Sequence, residues 1–316
     1  MPRLTLHQTL NNSRWWIYQR ERFPIFAHGL LIAAFSASAV SFSALLRGGS
    51  PPPAIASYLT AFVTSFLLFL QLRIADEHKD FDEDRAHRPY RPVPRGLVTL
   101  RELAALAAAG AFAQLVLAAA VSWHLVGLLL LTWTYLALMT KEFFVRDWLV
   151  ARPVTYLWTH MLIIPLADFY ATACDWLRAG QAAPPGLFWF IAASFTNGVA
   201  LEIGRKIRSP DGEEPGVRTY SSLWGPKTAT TVWLAALAAT AACALPAAQR
   251  IDFLAPATVV LGSFFVTAIL IARAFVASPI MPRARRLDQF SALWTVALYL
   301  TLGIIPLLLR GIRWDG

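Results

Sequence analysis

Nine stretches of about twenty mostly apolar residues divide the chain, and each is long enough to cross a membrane as a helix. They lie at residues 24–46, 53–72, 102–120, 122–140, 153–173, 185–204, 228–246, 253–275 and 289–309. The composition agrees, because only 15% of the 316 residues are charged, whereas soluble domains contain about 25%. The runs exclude a single soluble globule. We predict an all-α, polytopic membrane helix bundle of nine transmembrane helices that forms one domain over residues 1–316.

The basic residues lie between the apolar runs and indicate how the bundle is oriented. The formal net charge of +9 would suggest nucleic-acid binding in a soluble protein. Here the positive-inside rule applies: a cytoplasmic N-terminus places 23 of the 28 Lys and Arg residues on the cytoplasmic side. We therefore expect an integral membrane protein, in the cytoplasmic membrane if it is bacterial, with the C-terminus on the opposite side. The expected partner is the lipid bilayer and not nucleic acid.

Acidic residues cluster at the end of the second apolar run. Six of the 19 Asp and Glu residues lie between positions 76 and 84. Asp76, Asp80 and Asp84 recur every four residues, so they share one face if the second helix continues past Arg73. A Mg²⁺ ion would turn their mutual repulsion into coordination, because it takes carboxylate oxygens together with substrate phosphates. The alternative is an acidic, solvated loop that offsets neighbouring basic residues.

A second segment of mixed charge follows the sixth apolar run. Its charged residues are Glu202, Arg205, Lys206, Arg208, Asp211, Glu213 and Glu214. Two such segments on one membrane face predict one site, in which the carboxylates are candidate metal ligands and the cations bind phosphate. The alternatives are that Glu202 is an interfacial carboxylate paired with Arg205 or Lys206, and that the cations only enforce topology.

Three further cations complete the predicted clamp around a diphosphate. Arg73 follows the second run, while Lys141 and Arg146 follow the fourth. The prolines of Arg91-Pro-Val-Pro-Arg95 preclude a regular helix and predict a rigid loop that leads to the third helix.

Polar side chains within the apolar runs are candidate cavity residues. They are His28, Gln71, His124, His160, Asp168 and Asn197. Hydrogen bonding between helices, or an interfacial position, explains them at least as well.

Nine helices with acidic motifs after the second and sixth resemble the UbiA superfamily of intramembrane prenyltransferases, over nearly the whole chain. Members typically carry an NxxxDxxxD motif, a DxxxD motif and an Arg-Pro-x-Pro element. Asp76-xxx-Asp80-xxx-Asp84 and Arg91-Pro-Val-Pro match this pattern, with Asp76 in place of the leading Asn. The second motif reads Glu202-xxx-Lys206, so its second acidic position is basic.

The resemblance implies Mg²⁺ as cofactor and an isoprenyl diphosphate as substrate, and Lys141 resembles the family's basic residue after the fourth helix. The implied reaction is Mg²⁺-dependent transfer of the isoprenyl group, through an allylic carbocation, to an aromatic or other lipophilic acceptor. The catalytic residues would be Asp76, Asp80, Asp84, Glu202 and Asn197. Two alternatives stay open: a terpene cyclase that needs no acceptor, and a non-catalytic lipid-diphosphate binder or transporter.

Water would trap the allylic cation, so the substrate tail is expected inside the bundle. We predict a central cavity open to the cytoplasmic side, with Gln71 and Asn197 near its mouth. The oligomeric state stays open.

Overall fold

Long helices make up most of the chain, as the apolar runs predict. The computed structural model describes residues 13–214 and 216–311. The helices are α1 (Arg14–Arg22), α2 (Ile25–Leu46), α3 (Ile55–Lys79), α4 (Phe81–His87), α5 (Leu100–Val121), α6 (Trp123–Thr140), α7 (Arg146–Val150), α8 (Pro153–Met161), α9 (Ile163–Trp176), α10 (Leu187–Arg205), α11 (Tyr220–Arg250), α12 (Leu254–Ala277), α13 (Met281–Leu302) and α14 (Ile304–Leu309). These ranges contain no β-strand, so the all-α prediction is confirmed.

Eight helical segments of the described chain are long and apolar enough to cross a membrane. They are α2, α3, α5, α6, α10, α11, α12 and the joined pair α13 and α14. The protein is therefore an integral membrane protein. The predicted run 153–173 is instead divided into α8 and α9 at Leu162. Pro165 lacks the N–H that would bond the Met161 carbonyl, which explains the break.

The pair α8 and α9 extends from residue 153 to residue 176, about 36 Å at 1.5 Å per residue. That length suffices for a crossing, but the helix is not continuous. A count of nine crossings therefore stays a prediction.

Three helices extend beyond their apolar runs at the same end of the bundle. Helix α3 continues to Lys79, α11 begins at Tyr220 and α13 begins at Met281. Hydropathy marks only the part of a helix in hydrocarbon, whereas backbone hydrogen bonding continues into the polar region. A capping box between Thr219 and Ser222 starts α11, and Gly225, with a φ of 77°, kinks it before Pro226. These extensions carry polar side chains toward one another.

Helices α2 and α9 occupy the middle of the bundle. Helix α2 packs against α3, α9, α13 and α14, while α9 also contacts α3, α6 and α10. From α10 to α13 each helix packs against the next one in the chain, and α13 also contacts α2 and α10. The core between α2, α10 and α13 is aromatic: the Phe42 and Phe190 rings stack at 4.6 Å, and Tyr299 lies edge-on to Phe190.

Ion pairs distinguish the two ends of the bundle. At one end Arg47 binds Asp175 at 2.6 Å, which joins the end of α2 to the end of α9. The other end contains loops 80–99, 141–152 and 206–219, and is called the polar end below. The candidate residues of both acidic segments lie at this polar end.

Candidate active site

The loops after α3, α6 and α10 meet at the polar end. The Tyr90 hydroxyl donates to Glu214 Oε2 at 3.4 Å, and Arg218 Nη1 donates to the Val150 carbonyl at 3.4 Å. A Cβ on Gly216 would lie 3.0 Å from the His87 ring. The two acidic segments are therefore neighbours in space, as their positions on one membrane face predicted.

The first acidic segment continues the helical path of α3. Asp80 ends α3 and begins α4; its N–H donates to the Asp76 carbonyl at 2.9 Å, and the Asp84 N–H donates to the Asp80 carbonyl at 2.8 Å. The expected helical continuation past Arg73 is confirmed. The three carboxylates nevertheless have different surroundings.

Asp76 and Asp80 have the weaker protein contacts. The Asp76 side chain is 41% exposed and lies 3.5 Å from Arg73. Among the described residues, none donates a hydrogen bond to the Asp80 carboxylate or forms an ion pair with it. Burial raises the pKa of Asp80, and Asp76 raises it further, while Lys79 opposes both effects. Among the described residues, Asp80 is thus an acid without an ion pair or hydrogen-bond donor, and Lys79 is the cation that favours its ionised form.

Asp84 is instead held by arginines. It is buried, it accepts a hydrogen bond from Arg91 Nη1 at 2.6 Å, and its other oxygen forms an ion pair with Arg88 Nη2 at 2.8 Å. Arg22 of α1 lies 4.0 Å away and is also hydrogen-bonded to buried Glu77. These pairs join α1 and the Arg-Pro-Val-Pro loop to α3 and α4. Asp84 therefore has a structural role, and its role as a metal ligand stays a prediction.

Glu202 lies in the last turn of α10 and is bound by the two cations that follow it. Arg205 Nε approaches one carboxylate oxygen at 2.5 Å, and Lys206 Nζ approaches the other at 2.7 Å. This pairing was the alternative that the sequence left open. Arg205 also lies within electrostatic range of Asp76 on α3 and of Asp288 on α13.

The other acids of the second segment hold its loop. Glu213 accepts from the hydroxyls of Thr219 and Ser221, each at 2.7 Å. Asp211 is exposed. The Arg208 N–H donates to Ser221 Oγ at 2.7 Å, which fixes the start of α11 against this loop. In the described part of the chain, no three His, Cys, Asp or Glu side chains are grouped to hold a metal ion.

A buried charged cluster near the acidic motif was not predicted from the sequence. Glu142 lies 3.2 Å from Lys79 Nζ and 3.1 Å from His160 Nε2, and accepts from the Tyr156 hydroxyl at 2.9 Å. Burial alone would raise the pKa of Glu142, but His160, Lys79 and Tyr156 lower it to about 2. We call these four residues the Glu142 cluster.

The backbone around Glu142 explains why sequence spacing did not reveal this cluster. Residues 142–144 have φ values of 50°, 51° and 60°, a left-handed turn that is rare outside glycine. The turn directs Glu142 inward, while Lys141 and Arg146 stay exposed. The cluster also joins three separate segments, so no local motif marks it.

The polar residues inside the bundle bond between helices. Asn197 Oδ1 accepts from the Thr295 hydroxyl at 3.2 Å, and Asp168 Oδ2 accepts from the Tyr299 hydroxyl at 2.6 Å. Gln71 Nε2 donates to α5. These contacts are the interhelical hydrogen bonds that the sequence offered as an alternative to cavity roles. Two histidines bond locally: His28 contacts the Pro24 carbonyl and His124 contacts Ser122.

Comparison with known proteins identifies the family. The UbiA prenyltransferase family matches residues 30–287. The chain belongs to this family. The resemblance drawn from the acidic motifs is confirmed.

Solved structures support the same fold. An apo UbiA homologue from Aeropyrum pernix K1 is 18% identical, with a TM-score of 0.67 over 90% of this chain and 98% of that one. A digeranylgeranylglyceryl phosphate synthase structure is 14% identical, with a TM-score of 0.59 over 93% and 98%. A UbiA homologue from Archaeoglobus fulgidus, bound to DMAPP and Mg²⁺, is 15% identical, with a TM-score of 0.54 over 90% and 98%. No curated protein sequence matches the chain.

Proposed function

We propose that this UbiA family member uses Mg²⁺ to ionise an isoprenyl diphosphate and transfers the isoprenyl group to an aromatic or other lipophilic acceptor. The observation that carries the proposal is that the loops following the two acidic motifs meet at the polar end, where the Tyr90 hydroxyl donates to Glu214 Oε2 at 3.4 Å. Acids and cations from the two motifs thereby face one region of the polar end. The A. fulgidus homologue bound to DMAPP and Mg²⁺ supports this substrate class.

The acids present suit Mg²⁺ held jointly by protein and substrate. Mg²⁺ is usually bound through one or two carboxylates plus substrate phosphates, and not by an all-protein cage. Asp76 is partly exposed and Asp80 has no hydrogen-bond donor among the described residues, so both have oxygens free for a cation. Glu202 is the candidate ligand from the second segment.

The cations beside these acids are suited to bind the diphosphate. Arg73, Arg205 and Lys206 each pair with a candidate ligand, and a diphosphate offers several oxygens for the same charge-assisted hydrogen bonds. Lys141, Arg146 and Arg208 are the remaining predicted contacts. When bound, Mg²⁺ supplies positive charge at the diphosphate oxygens.

The reaction follows from stabilising the leaving group. The bond between the allylic carbon and the diphosphate oxygen breaks, and its electron pair departs with the diphosphate, where the cations stabilise the added charge. The acceptor then bonds to the allylic carbon and loses a proton. The cation must be shielded from water, and ring faces can stabilise positive charge, so a buried tail beside aromatic side chains would suit the reaction.

The proposal is tested with purified protein in nanodiscs, Mg²⁺ and a panel of prenyl diphosphates, with and without lipophilic acceptors. We expect Mg²⁺-dependent diphosphate release and a coupled product. Asp80→Asn should lower release at least about 100-fold, because it removes a metal-facing charge. The matched control is Asp82→Asn, an exposed acid on α4, which should retain activity.

Other results of these assays would exclude Asp80 as a ligand or favour one of the alternative functions. Near-normal, Mg²⁺-dependent release by a stable Asp80→Asn variant would exclude Asp80 as a metal ligand. A hydrocarbon product formed equally with and without acceptor would favour the terpene cyclase. Substrate binding without diphosphate release would favour the non-catalytic binder or transporter.

A further inference from the structure

The hairpin formed by α12 and α13 carries four arginines and a single acid, Asp288. The arginines are Arg273, Arg283, Arg285 and Arg286. Among the described residues, none of these four arginines forms an ion pair. Their positive charge is therefore available to a partner outside the chain.

Two of these arginines line a groove between α12 and α13, with a volume of about 210 Å³. Arg283 and Arg286 come from α13, while Leu270, Ile271 and Ala274 form an apolar wall on α12. Residues three apart on a helix are surface neighbours, with Cβ atoms about 5–6 Å apart. The groove thus combines a pair of adjacent cations with an apolar surface.

Both guanidinium groups can be reached by a ligand in the groove. Arg286 is exposed and Arg283 is half-buried. Arg283 Nη1 donates to the Ala274 carbonyl at 2.7 Å and to the Ser278 carbonyl at 3.3 Å. These bonds satisfy carbonyls at the end of α12, and they hold one guanidinium beside the apolar wall.

The groove lies away from the candidate active site. Asp288 is about 200° around α13 from Arg286, because each residue advances about 100° around a helix. Asp288 lies within electrostatic range of Arg205 and Arg208 of the second acidic segment. The arginines that line the groove are therefore on the other side of α13 from that segment.

The apolar wall extends from the polar end into the hydrocarbon region. Helix α12 is long and apolar enough to cross a membrane, and it ends at Ala277. Leu270 precedes that end by about 10 Å of helix. Leu270 is 60% exposed and Val266, one turn deeper, is 58% exposed, as expected for a surface that faces lipid. An occupant of the groove can therefore have a polar head at the membrane interface and an apolar chain beside α12.

The residues that line the groove select the charge of the head. Guanidinium groups match phosphate oxygens through paired, charge-assisted hydrogen bonds. The lining contains no Asp or Glu, so the ammonium of a zwitterionic headgroup would have no acidic partner there. Basic pockets between transmembrane helices are suited to anionic headgroups.

We propose that this groove binds an anionic phospholipid of the bilayer, with its phosphate on Arg283 and Arg286 and an acyl chain along Leu270 and Ile271. The site is remote from the two acidic motifs. The inference therefore does not depend on the proposed prenyl transfer.

Native mass spectrometry of the purified chain in non-ionic detergent tests the proposal, with dioleoyl phosphatidylglycerol as the probe. Dioleoyl phosphatidylcholine, which has the same acyl chains, is the matched ligand control. We expect phosphatidylglycerol to bind about tenfold more tightly, because no ammonium offsets its phosphate charge.

Two pairs of variants link binding to the groove. Arg286→Met should weaken phosphatidylglycerol binding about tenfold, as expected for one lost charge-assisted contact. Arg285→Met removes the same charge from the neighbouring exposed position, which does not line the groove, and should change binding less than about twofold. Ala274→Leu fills the groove and should abolish the preference for phosphatidylglycerol, whereas Ala255→Leu, at an exposed position near the start of α12, should preserve it.

Four results would overturn the assignment. Equal losses in Arg285→Met and Arg286→Met would show that the arginines act only as general surface charge. Equal binding of the two lipids would reject an anionic headgroup, and normal binding by Ala274→Leu would reject the groove. Equal displacement by millimolar inorganic phosphate would indicate an ion site and not a lipid site. Thermal unfolding of each variant without added lipid separates loss of binding from loss of fold.

Discussion

Replacing Asp84 with Asn should cost stability before it costs chemistry. Asp84 is 2% exposed and pairs with Arg91 at 2.6 Å and Arg88 at 2.8 Å. Removing one partner of a buried ion pair costs about 3–5 kcal/mol, because the remaining charges stay buried. Asn retains a hydrogen-bond acceptor, so we expect the lower figure, about 3 kcal/mol.

Asp76 provides the internal comparison. Its side chain is 41% exposed, and among the described residues its one ion pair is with Arg73 at 3.5 Å. Exposed ion pairs contribute at most about 1 kcal/mol, so Asp76→Asn should leave the thermal midpoint nearly unchanged. For Asp84→Asn a loss of 3 kcal/mol corresponds to a decrease of about 5–10 °C.

The assay combines thermal unfolding in detergent with Mg²⁺-dependent diphosphate release, measured at a temperature at which every variant is folded. Asp84→Asn should unfold early and retain substantial release at low temperature. If it instead unfolds like the wild type and loses Mg²⁺-dependent release, Asp84 is a metal ligand, and the reasoning from its arginine partners is wrong.

Three other substitutions test the remaining contacts. Glu142→Gln should lower the free energy of unfolding by about 3 kcal/mol at neutral pH, because the fold lowers the pKa of the Glu142 carboxyl from 4.5 to about 2. Because the pKa of Glu142 is lower in the folded state, its contribution to stability is present above pH 4.5 and is lost between about pH 4.5 and 2. A difference in thermal midpoint between wild type and Glu142→Gln that stays constant from pH 7 to 3 would contradict this. Asn197→Leu removes the acceptor of the Thr295 hydroxyl and should raise the fraction of hydrolysed prenyl alcohol among the products, which chromatography resolves. Unchanged products and an unchanged rate would show that Asn197 does not act at the reacting end of the substrate. Lys206→Met should raise the KM for the prenyl diphosphate about tenfold, as expected for one lost charge-assisted contact, and an unchanged KM would argue against that contact.

The features that could be predicted are those with a local or periodic origin. Apolar runs marked the long helices, since hydrocarbon requires about twenty apolar residues for each crossing. The four-residue recurrence of Asp76, Asp80 and Asp84 predicted a shared face on the condition that the helix continues past Arg73, and α3 does continue to Lys79. The break before α9 was missed, although Pro165 marks it in the sequence, and so were the extensions of α3, α11 and α13 beyond their apolar runs.

The sequence did not predict which basic side chains pair with which acidic side chains. The sequence shows Asp84, Arg88 and Arg91 close together, but it does not show that Asp84 is buried with both arginines. The Glu142 cluster depends on a left-handed turn and on three distant segments, neither of which has a periodic signature. Such contacts arise from tertiary packing, which brings together residues that no spacing rule relates.

The ion pairs on the Asp84 side of the polar end and those at the proposed substrate site differ in how far their cations are buried. The cations that hold Asp84 and Glu77 are mostly buried, with Arg22 11%, Arg88 12% and Arg91 21% exposed, so their pairs are costly to break. The two cations that bind Glu202 are open to solvent, with Arg205 46% and Lys206 39% exposed. Glu202 itself is buried, so a diphosphate could draw these cations away at small cost only if a metal ion took their place at the carboxylate. The ion pairs therefore fix the loops on the Asp84 side and keep two exposed cations beside Glu202 within reach of a ligand.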